Sequence, residues 1–218
     1  PYRRQRQMCI RDRANVGRSE QYEDLFPALI TDWRRQWRSD FPFYFVQLAN
    51  FMESKEIQPD SEWAALREAQ TKALKLDQVG MAVTIDIGLA DDIHPKNKQE
   101  VGRRLALVAL VGSYGKNVSG SAPVFRNYRI KGDKMELDFG QKQDGFQIKG
   151  TTLKGFTIAG PDRVFYPAEA MVQNGKIIVF SPEVSIPLAA RYGWADNPDC
   201  NLYGENGLPV APFRTDCW

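Results

Sequence analysis

Val79-Gly80-Met81-Ala82-Val83-Thr84-Ile85-Asp86-Ile87 runs directly into Gly88-Leu89-Ala90-Asp91-Asp92-Ile93-His94-Pro95, and from Asn97 to Tyr114 apolar residues recur at steps of three and four. The first run is short, apolar and β-branched, which predicts a buried strand, and the last predicts a helix. A strand that leads through a polar loop into a helix is the unit of an α/β fold, and such folds gather their sites beyond the carboxyl ends of the strands. His94 lies in that loop and is the only histidine of the 218 residues. An imidazole can take and return a proton near neutral pH, and a carboxylate on its other nitrogen fixes the tautomer. The spacing Asp91-x-x-His94 lets one short loop present both groups. The plainer reading is that Asp91 or Asp92 caps the following helix, with Pro95 in its first turn.

Upstream, Glu20 to Arg38 places Tyr22, Leu25, Phe26, Leu29, Ile30, Trp33 and Trp37 on one helical face, with a kink or a start expected at Pro27. Phe41 to Phe51 is aromatic and β-branched and predicts a strand. Ser61 to Leu76 predicts a second helix capped by Ser61. The order helix, strand, helix, strand, helix calls for a parallel sheet with crossover helices.

After Gly115 the texture changes. Lys116 to Ala122 is rich in serine and glycine, and beyond it come short runs at Val124–Ile130, Met135–Phe139, Gly155–Ala159, Lys176–Phe180 and Ile186–Tyr192. Lys131-Gly132-Asp133 and Gln173-Asn174-Gly175 read as hairpin turns, so an all-β, sandwich-like part is expected over residues 119–218. The stretch from Tyr192 through Trp194 to Pro198 and onward is expected to pack as an irregular strap rather than a strand. Residues 14–118 form the α/β part.

Residues 1–13 hold five arginines and one aspartate, share no periodicity with the rest of the chain, and look foreign to it. Without them the basic count falls from 29 to 24, the acidic count from 27 to 26, and the net charge from +2 to −2. That balance offers no electrostatic case for nucleic acid or an anionic membrane as partner. No run approaches the ~18 apolar residues of a membrane span. One histidine and no zinc-spaced cysteines argue against a metal, and no glycine-rich phosphate loop suggests a cofactor. Cys200 and Cys217 are compatible with a disulfide or with two free thiols.

Several segments together resemble the sialate O-acetylesterases of the SGNH-hydrolase type. They are Ala14-Asn15-Val16-Gly17-Arg18-Ser19-Glu20-Gln21-Tyr22, Val46-Gln47-Leu48-Ala49, Leu66-Arg67-Glu68-Ala69-Gln70, Asp92 to Leu105, and Arg191-Tyr192-Gly193-Trp194-Ala195-Asp196-Asn197-Pro198. The match runs in consistent order from about Ala14 to Trp218. It implies the C-terminal part of a flavodoxin-like three-layer α/β/α domain followed by the β part. It also implies hydrolysis of O-acetyl esters on sialic acid or a related acetylated carbohydrate, with no cofactor. In that family's terms His94 is the catalytic base and Asn15 an oxyanion-hole donor. The orienting acid is Asp91 by the three-before spacing, with Asp92 as the rival. Arg67 and Gln70, at i and i+3 on one helix face, either reach substrate or brace the site. Trp194, beside Tyr192, either walls the sugar or packs the two parts together. Asp86 is expected to be a buried support.

Such esterases carry the nucleophilic serine in an early Gly-x-Ser motif, and none of the serines from Ser19 to Ser185 has that context. The chain is therefore expected to hold base and acid without the nucleophile, and to be inactive alone. The competing class is a non-enzymatic carbohydrate-binding protein built on the β part.

Overall fold

The computed structural model describes residues 14–140 and 145–218, so the basic segment 1–13 lies outside the described residues. Helix α1 (Ser19–Trp37) buries Tyr22, Phe26 and Ile30, four residues apart. It runs through Pro27 without a break, with the Thr31 hydroxyl donating to the Pro27 carbonyl (2.9 Å), and ends at Arg38 in the left-handed region (φ 51°). Strand β1 (Phe43–Val46) follows, then α2 (Glu62–Lys72) with a 3-10 turn at Ala73–Lys75. As expected, Ser61 caps α2, its hydroxyl accepting the Ala64 N–H at 3.0 Å. Strand β2 (Val79–Ala82) and α3 (Lys98–Gly112), capped by Asn97, complete the α/β part.

β1 and β2 pair in parallel, Phe43 opposite Val79 and Phe45 opposite Met81. The two-residue period then divides their faces. Phe43 and Phe45 meet the edge of Phe26 in the core formed with α1 and α2. On the other face Tyr44 reaches Ser113 just past α3 (2.6 Å), and a methyl on Gly80 would overlap Val108. Helices thus cover both sides of the strand pair.

Both predicted strands are shorter than their apolar runs. β2 stops at Ala82 because the chain turns: Thr84 donates its hydroxyl to the Gln47 carbonyl (2.6 Å), and Ile87 N–H bonds Thr84 O (3.3 Å). Hydrophobicity marks burial, and residues 83–87 are largely buried without a ladder partner.

The second half holds two four-stranded antiparallel sheets. One orders β3 (Asn127–Lys131), β4 (Lys134–Asp138), β9 (Lys176–Phe180) and β8 (Glu169–Gln173) as β3-β4-β9-β8. The other orders β12 (Phe213–Arg214), β10 (Ala189–Tyr192), β6 (Phe156–Ala159) and β7 (Phe165–Pro167) as β12-β10-β6-β7. A further pair joins β5 (Phe146–Ile148) to β11 (Leu202–Gly204). Met135, Leu137, Ile177 and Val179 of the first sheet share one core with Phe156, Ile158, Ala190 and Tyr192 of the second. Both hairpin turns are where the sequence puts them, and Asn174 and Gly175 take φ of 52° and 72° between β8 and β9.

The tail departs from expectation. It contributes two short strands, β11 and β12, and Phe213 of β12 stacks on Phe125 at 4.3 Å. Three- and two-residue strands flanked by glycine, asparagine and proline are too short for an alternation to register.

Candidate active site

Beyond β2 the chain is pinned before it reaches the histidine. Asn50 accepts the Gly88 N–H on Oδ1 (2.6 Å), Leu89 bridges Phe51 in parallel, and the Met52 N–H donates to Ala90 O (3.1 Å). Gly88 is obligatory here, because a Cβ would run into the Asn50 backbone carbonyl. Gly88→Ala is therefore expected to cost about 2–3 kcal/mol and displace the turn. Chemical denaturation, with amide exchange over residues 88–94, reads both effects.

The loop then lifts His94 into solvent, its side chain 67% exposed. Asp92 Oδ1 accepts the His94 backbone N–H at 2.8 Å and lies 3.6 Å from Nδ1 of the ring. That backbone N–H, with the imidazole and Lys96 nearby, holds the Asp92 carboxyl below the usual carboxylate range against a small desolvation cost. So the structure brings Asp92, the rival acid, to the imidazole. Asp91, which the loop spacing favours, is exposed. The Asx turn formed by the Asp92 carboxylate and the His94 N–H is what sets that carboxylate beside the ring. Ile93 and Val16 pack onto the same core cluster, which sets the neighbours of His94 and Asn15 on one body.

Asp86, at the turn after β2, forms a two-pronged pair with Arg104 of α3 (2.5 and 2.9 Å) and accepts the Tyr203 hydroxyl (3.0 Å). Arg104 also holds Glu100 (2.8 Å) and the Val83 carbonyl (2.8 Å). Chiefly through Arg103, and also through Arg104, hydrogen bonding pulls the Glu100 carboxyl down to about 2. Burial and Asp86 push the Tyr203 phenol above its ordinary range. This network fixes the root of the loop to α3 and to β11.

Of the two readings the sequence leaves open for Arg67 and Gln70, the geometry is that of internal braces, since neither has exposed surface. The Arg67 guanidinium donates to four carbonyls: Leu48 (3.0 Å), Ala49 (3.0 Å), Ala195 (2.7 Å) and Asp196 (2.8 Å). Burial lowers its pKa to about 9, which leaves it charged at neutral pH. Gln70 Oε1 accepts the Leu48 N–H at 2.9 Å. Trp194 is 9% exposed, donates its indole N–H to Pro59 O (3.0 Å), and packs between the Arg191 and Arg214 guanidinium groups. Its contacts join the two parts of the chain, the packing reading of the two that the sequence leaves open.

Cys200 and Cys217 are free thiols. Burial pushes Cys200 up to about 12, while Cys217 is exposed. Brief alkylation of the native protein, followed by peptide mapping, is expected to label Cys217 and spare Cys200. Among the described residues no group of three or more His, Cys, Asp or Glu is placed to hold a metal ion, and no helix is long and apolar enough to cross a membrane.

Sequence reasoning overlooked Asn50, Asn197 and Gly88. Asn197 stands in one of the family-like segments, yet nothing in its spacing tells that it meets Asn50 across 147 residues.

A lone histidine with an adjacent carboxylate, lifted from the carboxyl end of a parallel strand, suits proton transfer in hydrolysis, and the likenesses agree with a hydrolase. The structure superposes on a carbohydrate acetylesterase from Xanthomonas citri with a TM-score of 0.86 and 45% identity, over 91% of this chain and 46% of that one. Sialate O-acetylesterases from mouse and human are each 29% identical over 88% of this chain and over 40% and 42% of their own lengths. No family model matches. The chain is thus similar to sialate O-acetylesterases and to a carbohydrate acetylesterase, and it spans about two-fifths of the length of these curated relatives.

Proposed function

We propose that this chain is the histidine-bearing part of a carbohydrate O-acetylesterase of the SGNH type, acting on O-acetylated sialic acid or a related acetylated sugar. Its α/β part, residues 14–118, belongs to a three-layer esterase domain, and residues 119–218 form an appended sandwich-like part. The observation that carries the reading is the His94–Asp92 loop at the end of β2, in a chain 45% identical to a carbohydrate acetylesterase.

In this mechanism His94 takes the proton of a serine hydroxyl as the serine oxygen attacks the acetyl carbonyl. The developing oxyanion is held by donors that include the Asn15 amide. Collapse breaks the bond to the sugar oxygen, which receives the proton from the imidazolium. Water, activated by the same imidazole, then attacks the acetyl-serine and releases acetate. Asp92 orients the ring and steadies its positive charge. The nucleophilic serine is contributed by sequence outside these 218 residues.

Acetate release from 9-O-acetylated sialic acid tests the proposal. The 218-residue chain is expected to give background only, and a form extended to the length of its relatives to turn over. In the extended form Asp92→Asn is expected to lower kcat about 100-fold and Asp91→Asn to leave it within about threefold. Turnover by the 218-residue chain alone would put the nucleophile among its own serines. Binding of the sugar by the extended form without any turnover would favour a carbohydrate-binding role instead.

A further inference from the structure

The loop that carries His94 touches its own α/β neighbours and, through two side-chain amides, the far end of the chain. Asn50 Oδ1 takes the Gly88 N–H (2.6 Å), while Asn50 Nδ2 donates to Asn197 Oδ1 (2.6 Å). Asn197 Nδ2 donates in turn to Met52 O (2.7 Å), and Met52 holds Ala90 through its own N–H (3.1 Å). Phe51 N–H completes the clasp on Asp196 O (3.2 Å). Met52 takes φ of 73°, a conformation an unbranched side chain adopts only when its surroundings impose it.

Asn197 is itself firmly seated. The neighbouring Asp196 accepts the Ser61 hydroxyl (2.6 Å) and the Gln58 amide, and its carbonyl accepts from Arg67 (2.8 Å). The segment continues directly from Arg191 and Tyr192 of β10. A continuous run of hydrogen bonds therefore connects the β-rich part to the turn six residues before the imidazole.

We propose that Asn50 and Asn197 are positioning residues for His94, joining the seating of segment 194–198 to the Gly88–Ala90 turn and so fixing the direction in which the imidazole leaves the fold. Their catalytic value rests on the reading of His94 as the base; the clasp itself does not. His94 has 67% of its side chain in solvent and meets Asp92 only at 3.6 Å, so the backbone on which the ring stands governs its aim. Each lost amide contact is expected to loosen that backbone, since an uncompensated hydrogen bond shifts local opening by about tenfold.

The single histidine makes the test direct. In the 218-residue protein, labelled on histidine, the Cε1–H signal of His94 is followed alongside exchange of the Gly88 amide and the melting temperature. Asn197→Ala is expected to shift or broaden the His94 signal and to speed Gly88 exchange about tenfold. Asn50→Ala is expected to do the same more strongly. Asn201→Ala is the control for general loosening: Asn201 lies in the same terminal segment but bonds Lys154 N–H, Lys149 O and Thr152 O. It is expected to lower the melting temperature and leave the His94 signal in place. The proposal is overturned if Asn197→Ala leaves the signal unmoved, or moves it no more than Asn201→Ala does. Full acetate release by His94→Ala in the extended esterase would refute the base assignment alone, leaving the spectroscopic result to decide the clasp.

Discussion

Arg67→Ala is expected to destabilise the protein by about 4 kcal/mol or more, enough to unfold much of a marginally stable chain. The guanidinium sits in the interior of α2's packed face and holds carbonyls from two distant stretches, Leu48–Ala49 and Ala195–Asp196. Its removal strips donors from four acceptors at once, and each buried acceptor left unpaired costs about 1–3 kcal/mol, partly recovered by water entering the vacated space. Arg67→Met separates shape from bonding: it fills the volume without donors and is expected to lose nearly as much. Arg67→Lys keeps the charge but not the fork, and is expected to lose about half. Urea unfolding of the three variants gives the order, and equal stability of wild type and Arg67→Met would show that packing alone matters at this site.

In the extended esterase, His94→Ala is expected to lower kcat by at least about 1,000-fold with little change in KM. The loss is confined to the transition state because the imidazole works on a proton in flight and adds little to ground-state binding. Its exposure predicts that the same substitution leaves stability within about 0.5 kcal/mol of wild type. The two variants are thus expected to separate cleanly: Arg67→Ala costs the fold, and His94→Ala, on the proposed reading of His94 as the base, costs turnover. A His94→Ala enzyme with unreduced kcat would require another base.

The helices were legible because their ends carry chemistry that acts locally. Ser61 caps where a serine beside an apolar period says it should, and the Asn174-Gly175 hairpin follows from two residues that tolerate positive φ, whereas the helix after the His94 loop is capped by Asn97 rather than by Asp91 or Asp92. Strand lengths were not legible: Val83 to Ile87 is as apolar as a strand, but its backbone is claimed by Arg104 and a turn, and the Thr84 hydroxyl bonds the Gln47 carbonyl. At the site, His94 could be singled out because it is alone and lies between a strand and a helix. The choice of acid hinged on one Asx turn at Asp92, a backbone detail that spacing does not encode. For Arg67 and Trp194 the sequence left ligand contact and packing both open, because a polar or aromatic residue in a family-like segment reads the same whether it faces a substrate or a carbonyl.

The bond from Arg67 to Ala195 spans 128 residues, and the one from Asn50 to Asn197 spans 147. During synthesis the helix that bears Arg67 and the loop that bears His94 leave the ribosome long before the residues that complete them. Until then Arg67 has a half-filled set of acceptors and the Gly88 turn lacks the far side of its clasp. The nascent chain therefore carries His94 on unfinished backbone until segment 195–197 has been made.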